Sequence, residues 1–257
     1  MIKLKFLLFN RFVKSIFFLG RKLVKLNNII CRPFYLKNLL LYNVAAAVEH
    51  QKIIKNLDFD LLIDAGANKG QFSLLCLYYN KKIKIVAFEP IKSCLKIYET
   101  VFKGYFNVKV FNTALGSKVS NTTMNISNSI DSSSILNNKI QNDIFTGTQS
   151  VNQTNVKVDK LDNYCKYFLS STSLLKIDVQ GYELLLLKGA TKSLKTIKYI
   201  FVELSFVELY ESQPLFSDVY DFLRKSNFKM IDISYLYHHD KMLVQGDFLF
   251  INNKYCN

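Results

Sequence analysis

LLIDAGANKGQ, residues 61–71, is the stretch that decides the fold. Its three leading apolar residues are typical of a buried parallel strand. Asp64 ends that run, and Gly66 and Gly70 follow it. Residues 71–79, QFSLLCLYY, then repeat apolar side chains at helical spacing. The stretch predicts a strand, a tight glycine turn and a helix whose first N–H groups are free to bind a ligand.

The next apolar run, residues 83–88, ends in Glu89, 25 positions after Asp64. An acid at this position of a nucleotide-binding fold commonly accepts hydrogen bonds from ribose hydroxyls. The glycine spacing differs from the dinucleotide fingerprint, which needs a third glycine, and no Gly-Lys-Ser/Thr of a P-loop follows. The pattern therefore predicts a nucleotide-type ligand that is bound by neither of these two motifs.

Further strand-like runs alternate with helical patterns, which predicts a doubly wound, mostly parallel sheet. The last two runs, residues 228–234 and 247–252, are predicted to form an antiparallel edge. Ligands of such sheets bind outside the carboxyl ends of the strands. Polar residues occupy five such ends: Asp64, Glu89, Asn112, Asp178 and Glu203.

The net charge of +14 is unevenly distributed along the 257 residues. Residues 1–48 hold nine Lys and Arg and no Asp or Glu, so residues 49–257 carry a net charge of only +5. This distribution is weak support for nucleic-acid binding by the folded part. We predict a basic arm over residues 1–38 and a single domain over 39–257, in which residues 39–54 form a helix.

Residues 1–30 alternate apolar and basic side chains, and no uncharged run is long enough to span a bilayer. Two interpretations stay open. The segment is a helix on an anionic membrane surface, or it packs on the domain with its lysine tips in water.

Residues 127–155 are rich in Ser, Asn and Thr and form a predicted long polar loop. Loops of this length in a compact domain are often functional. Ser133 and Ser134 are candidates to contact a substrate, as is His239, which follows the penultimate strand. A flexible loop and a histidine without a role are the alternatives.

The joint order of these motifs resembles the FkbM family of methyltransferases. The resembling residues run from DAGANKGQFS at 64–73 through FEP at 88–90 and NTALG at 112–116. KIDVQGYE at 176–183, FVEL at 201–204 and DFLF at 247–250 complete the order. One departure is Gln180, where the family commonly has an acid.

The resemblance implies a Rossmann-like class I methyltransferase fold with a mostly parallel seven-stranded sheet and an antiparallel edge. It also implies S-adenosyl-L-methionine as methyl donor and O-methylation of a hydroxyl on a sugar, a surface glycan or a small metabolite. The predicted donor-binding residues are Asp64, Gly66, Ala67, Asn68, Gly70, Phe72, Glu89, Pro90, Asn112, Thr113 and Ala114.

Removal of the hydroxyl proton calls for a general base. Asp178 is the first candidate because it lies at a central strand end, and Glu203 is the second. Purely structural roles for both acids stay open. No His, Cys and Asp cluster has metal-ligand spacing, so no structural metal is predicted, and a Mg²⁺ held by Asp178 and Glu203 stays open as an alternative.

Two other functions stay open: a nucleic-acid methyltransferase, and a membrane-associated protein that keeps the fold without turnover. The favoured partners are a small-molecule or glycan acceptor and, through residues 1–30, an anionic membrane, with no nucleic acid. Five scattered cysteines without a CxxC pair fit a reducing compartment. We therefore predict a cytoplasmic protein that could lie at the inner face of the membrane.

Overall fold

A computed structural model describes residue 20, residues 22–168 and residues 172–256. Most of residues 1–30 therefore lie outside the described residues. Two sheets and the helices packed on them make up the described part. No helix in it is long and apolar enough to cross a bilayer.

The main sheet has seven strands in the order β3-β2-β1-β7-β8-β10-β9. Strands β3, β2, β1, β7 and β8 are parallel, and β10 runs antiparallel to both of its neighbours. The prediction of a mostly parallel seven-stranded sheet with an antiparallel edge is confirmed. Its strands are β1 (Leu61–Ala65), β2 (Lys84–Phe88), β3 (Val108–Phe111), β7 (Ser173–Ile177), β8 (Tyr199–Ser205), β9 (Phe228–His239) and β10 (Met242–Asn252).

A smaller three-stranded sheet has the order β4-β6-β5. Its strands are β4 (Ala114–Leu115), β5 (Ser120–Ser127) and β6 (Ser150–Asp159). The segment predicted as a long polar loop is therefore more ordered than expected, because β6 extends back to Ser150 and pairs with β5 along its length. Between these strands, Ile130–Ser132 forms a 3₁₀ turn and Gln141–Ile144 forms a short helix.

Helices cover both faces of the main sheet, so all five residues of β1 are buried. Residues 22–30 are helical and are called α1 here. The others are α2 (Pro33–Tyr42), α3 (Gln51–Ile54), α4 (Gln71–Tyr79), α5 (Lys92–Val101), α6 (Gln141–Ile144), α7 (Glu183–Lys188) and α8 (Phe216–Lys225).

The helix predicted over residues 39–54 is wrong. Helix α2 begins earlier, at Pro33, whose fixed φ and missing N–H suit a first helical position. It ends because Asn43 adopts the left-handed conformation, with φ 53°, and its N–H donates back to carbonyls of the last turn. The boundary predicted at residue 38 falls inside α2, and the division into arm and domain stays a prediction.

The final hairpin is longer than the two predicted strands. Strands β9 and β10 pair from Phe228 to His239 and turn at Asp240 and Lys241, which both have positive φ. His239 was expected after the penultimate strand and is instead the last residue of β9. The reason is that antiparallel pairing continues through residues 235–239, whereas the strand pattern in the sequence ends at residue 234.

Candidate active site

A cavity of about 240 Å³ opens at the carboxyl ends of the parallel strands. The loops after β1, β2, β3 and β7 form its floor, and residues 47–50 and 130–135 form two of its walls. Predicted site residues in its lining are Gly66, Ala67, Asn68, Phe72, Glu89, Pro90, Thr113, Ala114, Ser133 and Asp178.

The glycine turn is held against β2, because the N–H groups of Gly66 and Ala67 both donate to the carbonyl of Phe88. Gly66 has φ +73°, and a Cβ at this position would lie 1.9 Å from the backbone oxygen of Asp178. Only glycine therefore lets the loops after β1 and β7 approach this closely. Gly70 is absent from the cavity lining, and Ala67 and Asn68 present the turn to the cavity.

Glu89 is the buried acid of the cavity, only 4% exposed. Its Oε2 accepts from the N–H of Asn68 at 2.8 Å, and its Oε1 accepts from the N–H of Ile91 at 2.7 Å. A carboxylate offers about four acceptor positions, so two remain for a ligand. Burial raises the pKa of Glu89 to about 7, although both backbone donors oppose that rise.

Asp64 lies beneath the cavity, fully buried, and is absent from its lining. Its Oδ2 accepts from the hydroxyl of Ser73 at 2.7 Å, and its Oδ1 lies 3.5 Å from Nζ of Lys176. Lys176 also lies 3.6 Å from Oδ2 of Asp178 and donates to the carbonyl of Gly66 at 2.8 Å. Burial disfavours the charged ammonium, but Asp178 and Asp64 outweigh it and raise the pKa of Lys176.

Asp178 reaches the cavity, with its side chain 40% exposed. Its Oδ1 accepts from Nε2 of Gln180 at 2.8 Å, and the same amide donates to Oε2 of Glu203 at 3.1 Å. Glu203 is absent from the cavity lining and lies behind Gln180. Burial, reinforced by the charge of Asp178, raises the pKa of Glu203. The structure thus brings the two predicted catalytic acids together, but only Asp178 faces the cavity.

Asn112, predicted to border the donor, is exposed and lies outside the cavity lining. Its Nδ2 donates to the carbonyls of Glu89 and Pro90, both at 2.9 Å. Its side chain therefore ties together the loops after β2 and β3. Thr113 and Ala114, the next two residues, do line the cavity.

The three predicted substrate residues lie in different places. Ser133 lines the cavity, and its hydroxyl accepts from the N–H of Ser127. Ser134 is buried outside the lining, where its hydroxyl donates to the carbonyl of Gln180 at 2.6 Å. His239 is also outside the lining, and its Nε2 lies 3.5 Å from the carboxylate of Asp240.

His50 was not predicted from the sequence, yet it lines the cavity. Its Nδ1 lies 3.0 Å from the hydroxyl of Ser234 and 3.9 Å from a carboxylate oxygen of Asp247. Burial lowers the pKa of His50 to about 4, which keeps the ring neutral at pH 7. The sequence signal was a lone histidine after the small residues 45–47, and the prediction of a continuous helix concealed it.

The polar loop also contributes to the cavity through Asp131, whose Oδ1 accepts from Nδ2 of Asn68 at 2.6 Å. The other side-chain atom of Asn68, Oδ1, is buried and has no hydrogen-bond partner among the described residues. The unpaired Oδ1 of Asn68, together with the carboxylate of Asp131, suits a ligand that carries an amino group. Ile91, Met124 and Ile135 supply apolar side chains to the cavity lining. In the described part of the chain, no three acidic, His or Cys side chains are grouped to hold a metal ion.

Comparison with known proteins relates the chain to methyltransferases. The sequence model of the methyltransferase FkbM domain matches residues 64–230. A search of curated proteins found no match.

A search of solved structures found many matching chains. Magnesium protoporphyrin IX methyltransferase from Synechocystis PCC 6803 with bound SAM is 10% identical over 80% of both chains, with a TM-score of 0.43. A putative RNA methyltransferase from Pyrococcus horikoshii is 10% identical over 80% of this chain and 83% of that chain, with a TM-score of 0.42. Precorrin-6y C5,15-methyltransferase from Geobacter metallireducens GS-15 is 12% identical over 79% of this chain and 84% of that chain, with a TM-score of 0.41.

Proposed function

The chain belongs to the FkbM family of methyltransferases, and on that premise we propose that it methylates a hydroxyl oxygen of a sugar, a surface glycan or a small metabolite. The methyl donor is S-adenosyl-L-methionine, which supplies a methyl group on a positively charged sulfur. The observation that carries the proposal is that Asp178 and Glu89 line the same cavity.

Glu89 and the glycine turn would hold the donor. The two unused acceptor positions of the Glu89 carboxylate suit a pair of ribose hydroxyls. The unpaired Oδ1 of Asn68 suits the amino group of the donor. Thr113 and Ala114, together with the apolar lining, would border the adenine of the donor. Asp64 would act on the site only through Lys176.

Asp178 would accept the proton of the acceptor hydroxyl. Its Oδ1 is occupied by the donation from Gln180, so Oδ2 is the oxygen we assign to the proton. Lys176 lies 3.6 Å from that oxygen and helps to orient the carboxylate. A positioned general base contributes about 10²–10⁴-fold to rate.

Glu203 would act as a positioning residue. Its carboxylate accepts from Gln180 and from Gln245, and so fixes the amide that orients Asp178. The polar wall with Asp131 and Ser133 offers hydrogen-bonding groups to an acceptor rich in hydroxyls. These features favour a sugar over an apolar acceptor.

The experiment incubates the full chain with S-adenosyl-L-methionine carrying a labelled methyl group and a panel of glycans, hydroxylated metabolites and RNA. We expect label in a hydroxyl-bearing glycan or metabolite. Asp178→Asn should reduce transfer by about 10²–10⁴-fold while isothermal titration shows retained donor binding. Label found in nuclease-sensitive material, or full transfer by Asp178→Asn, would contradict the proposal.

A further inference from the structure

Helix α1 has an unusual distribution of side chains between its two sides. Ile29 is 2% exposed and belongs to the main core. Lys25, one turn before it, donates to Oε1 of Glu49 at 2.9 Å and lines the cavity. Asn28 accepts from Nε2 of Gln51 at 3.3 Å. This side of α1 therefore packs on the domain and forms part of the cavity wall.

The opposite side of α1 faces outward and is mostly apolar, with the exposed Asn27 at its border. Leu23, Leu26 and Ile30 stand at i, i+3 and i+7, which places them along one side of the helix. They are 56%, 43% and 50% exposed. A surface helix of a globular protein ordinarily presents charged and polar residues outward, so this arrangement leaves an apolar stripe that no other described residue covers. Leu40 and Leu41 at the end of α2 are exposed as well.

The charge around this stripe indicates what covers it. The described residues 22–48 carry four basic side chains and no acidic one. Two copies of the chain that joined through this side would bring those like charges together, which opposes association. An anionic bilayer offers the opposite charge to the lysines and an apolar interior to the leucines.

We propose that the outward side of α1, formed by Leu23, Leu26 and Ile30, docks onto an anionic lipid bilayer. Because Lys25 on the same helix lines the cavity, docking holds that wall of the cavity next to the lipid headgroups. This surface is separate from the methyl-transfer chemistry and does not depend on it.

The test is co-sedimentation of the full chain with vesicles of phosphatidylcholine alone or mixed with an equal amount of phosphatidylglycerol. We expect binding to the mixed vesicles that falls at high salt, and little binding to phosphatidylcholine alone. The triple variant Leu23→Ser, Leu26→Ser and Ile30→Ser should bind at least about tenfold more weakly, because each lost apolar side chain removes buried area.

A matched control carries Phe106→Ser and Val119→Ser, since both side chains are exposed apolar groups outside α1. This control should bind the mixed vesicles as the parent chain does. Thermal unfolding and donor binding by isothermal titration verify that both variants are folded, and the single variant Leu26→Ser replaces the triple variant if that one does not fold.

Three outcomes would overturn the proposal. The parent chain remains in solution with the mixed vesicles, or the α1 variant sediments as well as the parent does. In the third, sedimentation velocity shows that the parent chain is a dimer and that the α1 variant is a monomer. A second copy of the chain, and not a bilayer, would then cover the stripe.

Discussion

Nε2 of Gln180 donates to Oδ1 of Asp178 at 2.8 Å. The same nitrogen donates to Glu203 at 3.1 Å, and the amide oxygen accepts from the hydroxyl of Tyr210 at 2.8 Å. One neutral amide thus separates two carboxyl groups and satisfies both of them. The family that the sequence resembles commonly has an acid at the position of Gln180. The structure gives this glutamine a definite part in holding Asp178.

We predict that Gln180→Glu lowers the free energy of unfolding by about 2–4 kcal/mol at pH 8, because a carboxylate cannot donate to Asp178 or Glu203 and adds a negative charge next to two carboxyl groups. Urea unfolding measures the loss. The loss should shrink below pH 6, where a protonated glutamate can donate again. Gln153→Glu, on the exposed part of β6, is the control, and equal losses for the two variants would contradict the account.

We predict that Glu89→Gln weakens binding of S-adenosyl-L-methionine by about 1–3 kcal/mol, the scale of a hydrogen bond to a charged group. The amide keeps the shape of the side chain but loses acceptor positions. Isothermal titration gives the affinity. Glu99→Gln, an exposed residue on α5, should bind as the parent does, and an unchanged affinity of Glu89→Gln would refute the ribose role.

Lys176 is the cation nearest to the buried Asp64 in this site, at 3.5 Å. We predict that Lys176→Met costs about 3–5 kcal/mol of stability, because it leaves a buried carboxylate without its counter-charge. Adding Asp64→Asn should recover part of that loss, which a double-mutant cycle by denaturant measures. Lys198→Met, whose partner Asp58 is 94% exposed, should change stability by less than about 1 kcal/mol. If the stability losses of Lys176→Met and Asp64→Asn simply add in the double variant, the two residues do not stabilise each other and the prediction is wrong.

Gly66 and Gly104 both have positive φ, but only Gly66 is crowded. We predict that Gly104→Ala costs about 1–2 kcal/mol from backbone conformation alone. Gly66→Ala should cost several kcal/mol more, since a Cβ 1.9 Å from the Asp178 oxygen forces two loops apart. Thermal unfolding compares the two variants, and equal losses would show that crowding has no role.

Burial raises the pKa of both Glu89 and Glu183 to about 7. The folded protein therefore holds these protons at pH values where the unfolded chain has released them, so stability falls as pH rises through about 7. Burial lowers the pKa of His50 to about 4, which has the opposite effect, but only below about pH 6.5. From about pH 6.5 to 8 we predict that Glu89 and Glu183 together lower the free energy of unfolding by about 1–2 kcal/mol. Asp247, whose pKa burial raises to about 8, adds to this loss in the same direction.

Urea unfolding at a series of pH values measures this slope. Glu89→Gln removes one of the two groups and should make the slope shallower. Constant or rising stability between pH 6.5 and 8 would contradict the buried, protonated carboxyl groups.

The sequence predicted the sheet well, and several residues that it singled out, among them Gly66 and Glu89, line one cavity, because those signals are local. An apolar run followed by an acid marks both β1 with Asp64 and β2 with Glu89, and the glycine spacing marks the turn between β1 and α4. Each of these patterns is contained in about ten residues. Alternating strands and helices then fix the sheet, since crossovers between parallel strands are strongly constrained.

The acceptor side depended on contacts between distant residues, and there the sequence was less informative. Strand β8 is buried on both faces, so the order of apolar and polar residues along it could not show that Glu203 lies behind Gln180. His50 enters the cavity because α2 ends at Asn43, and the apolar pattern continues past that break. Lys176 interrupts a buried strand, and its role becomes clear only when β1 brings Asp64 beside it.

The position of β1 in the middle of the sheet has a consequence for synthesis of the protein. β1 pairs with β2 on one side and with β7 on the other, and β7 begins more than 100 residues after β1 ends. At a translation rate of about 5–20 residues per second, β1 leaves the ribosome roughly 5–20 s before its second partner exists. During that interval the nascent chain carries an apolar strand with an open edge, the kind of edge that invites aggregation.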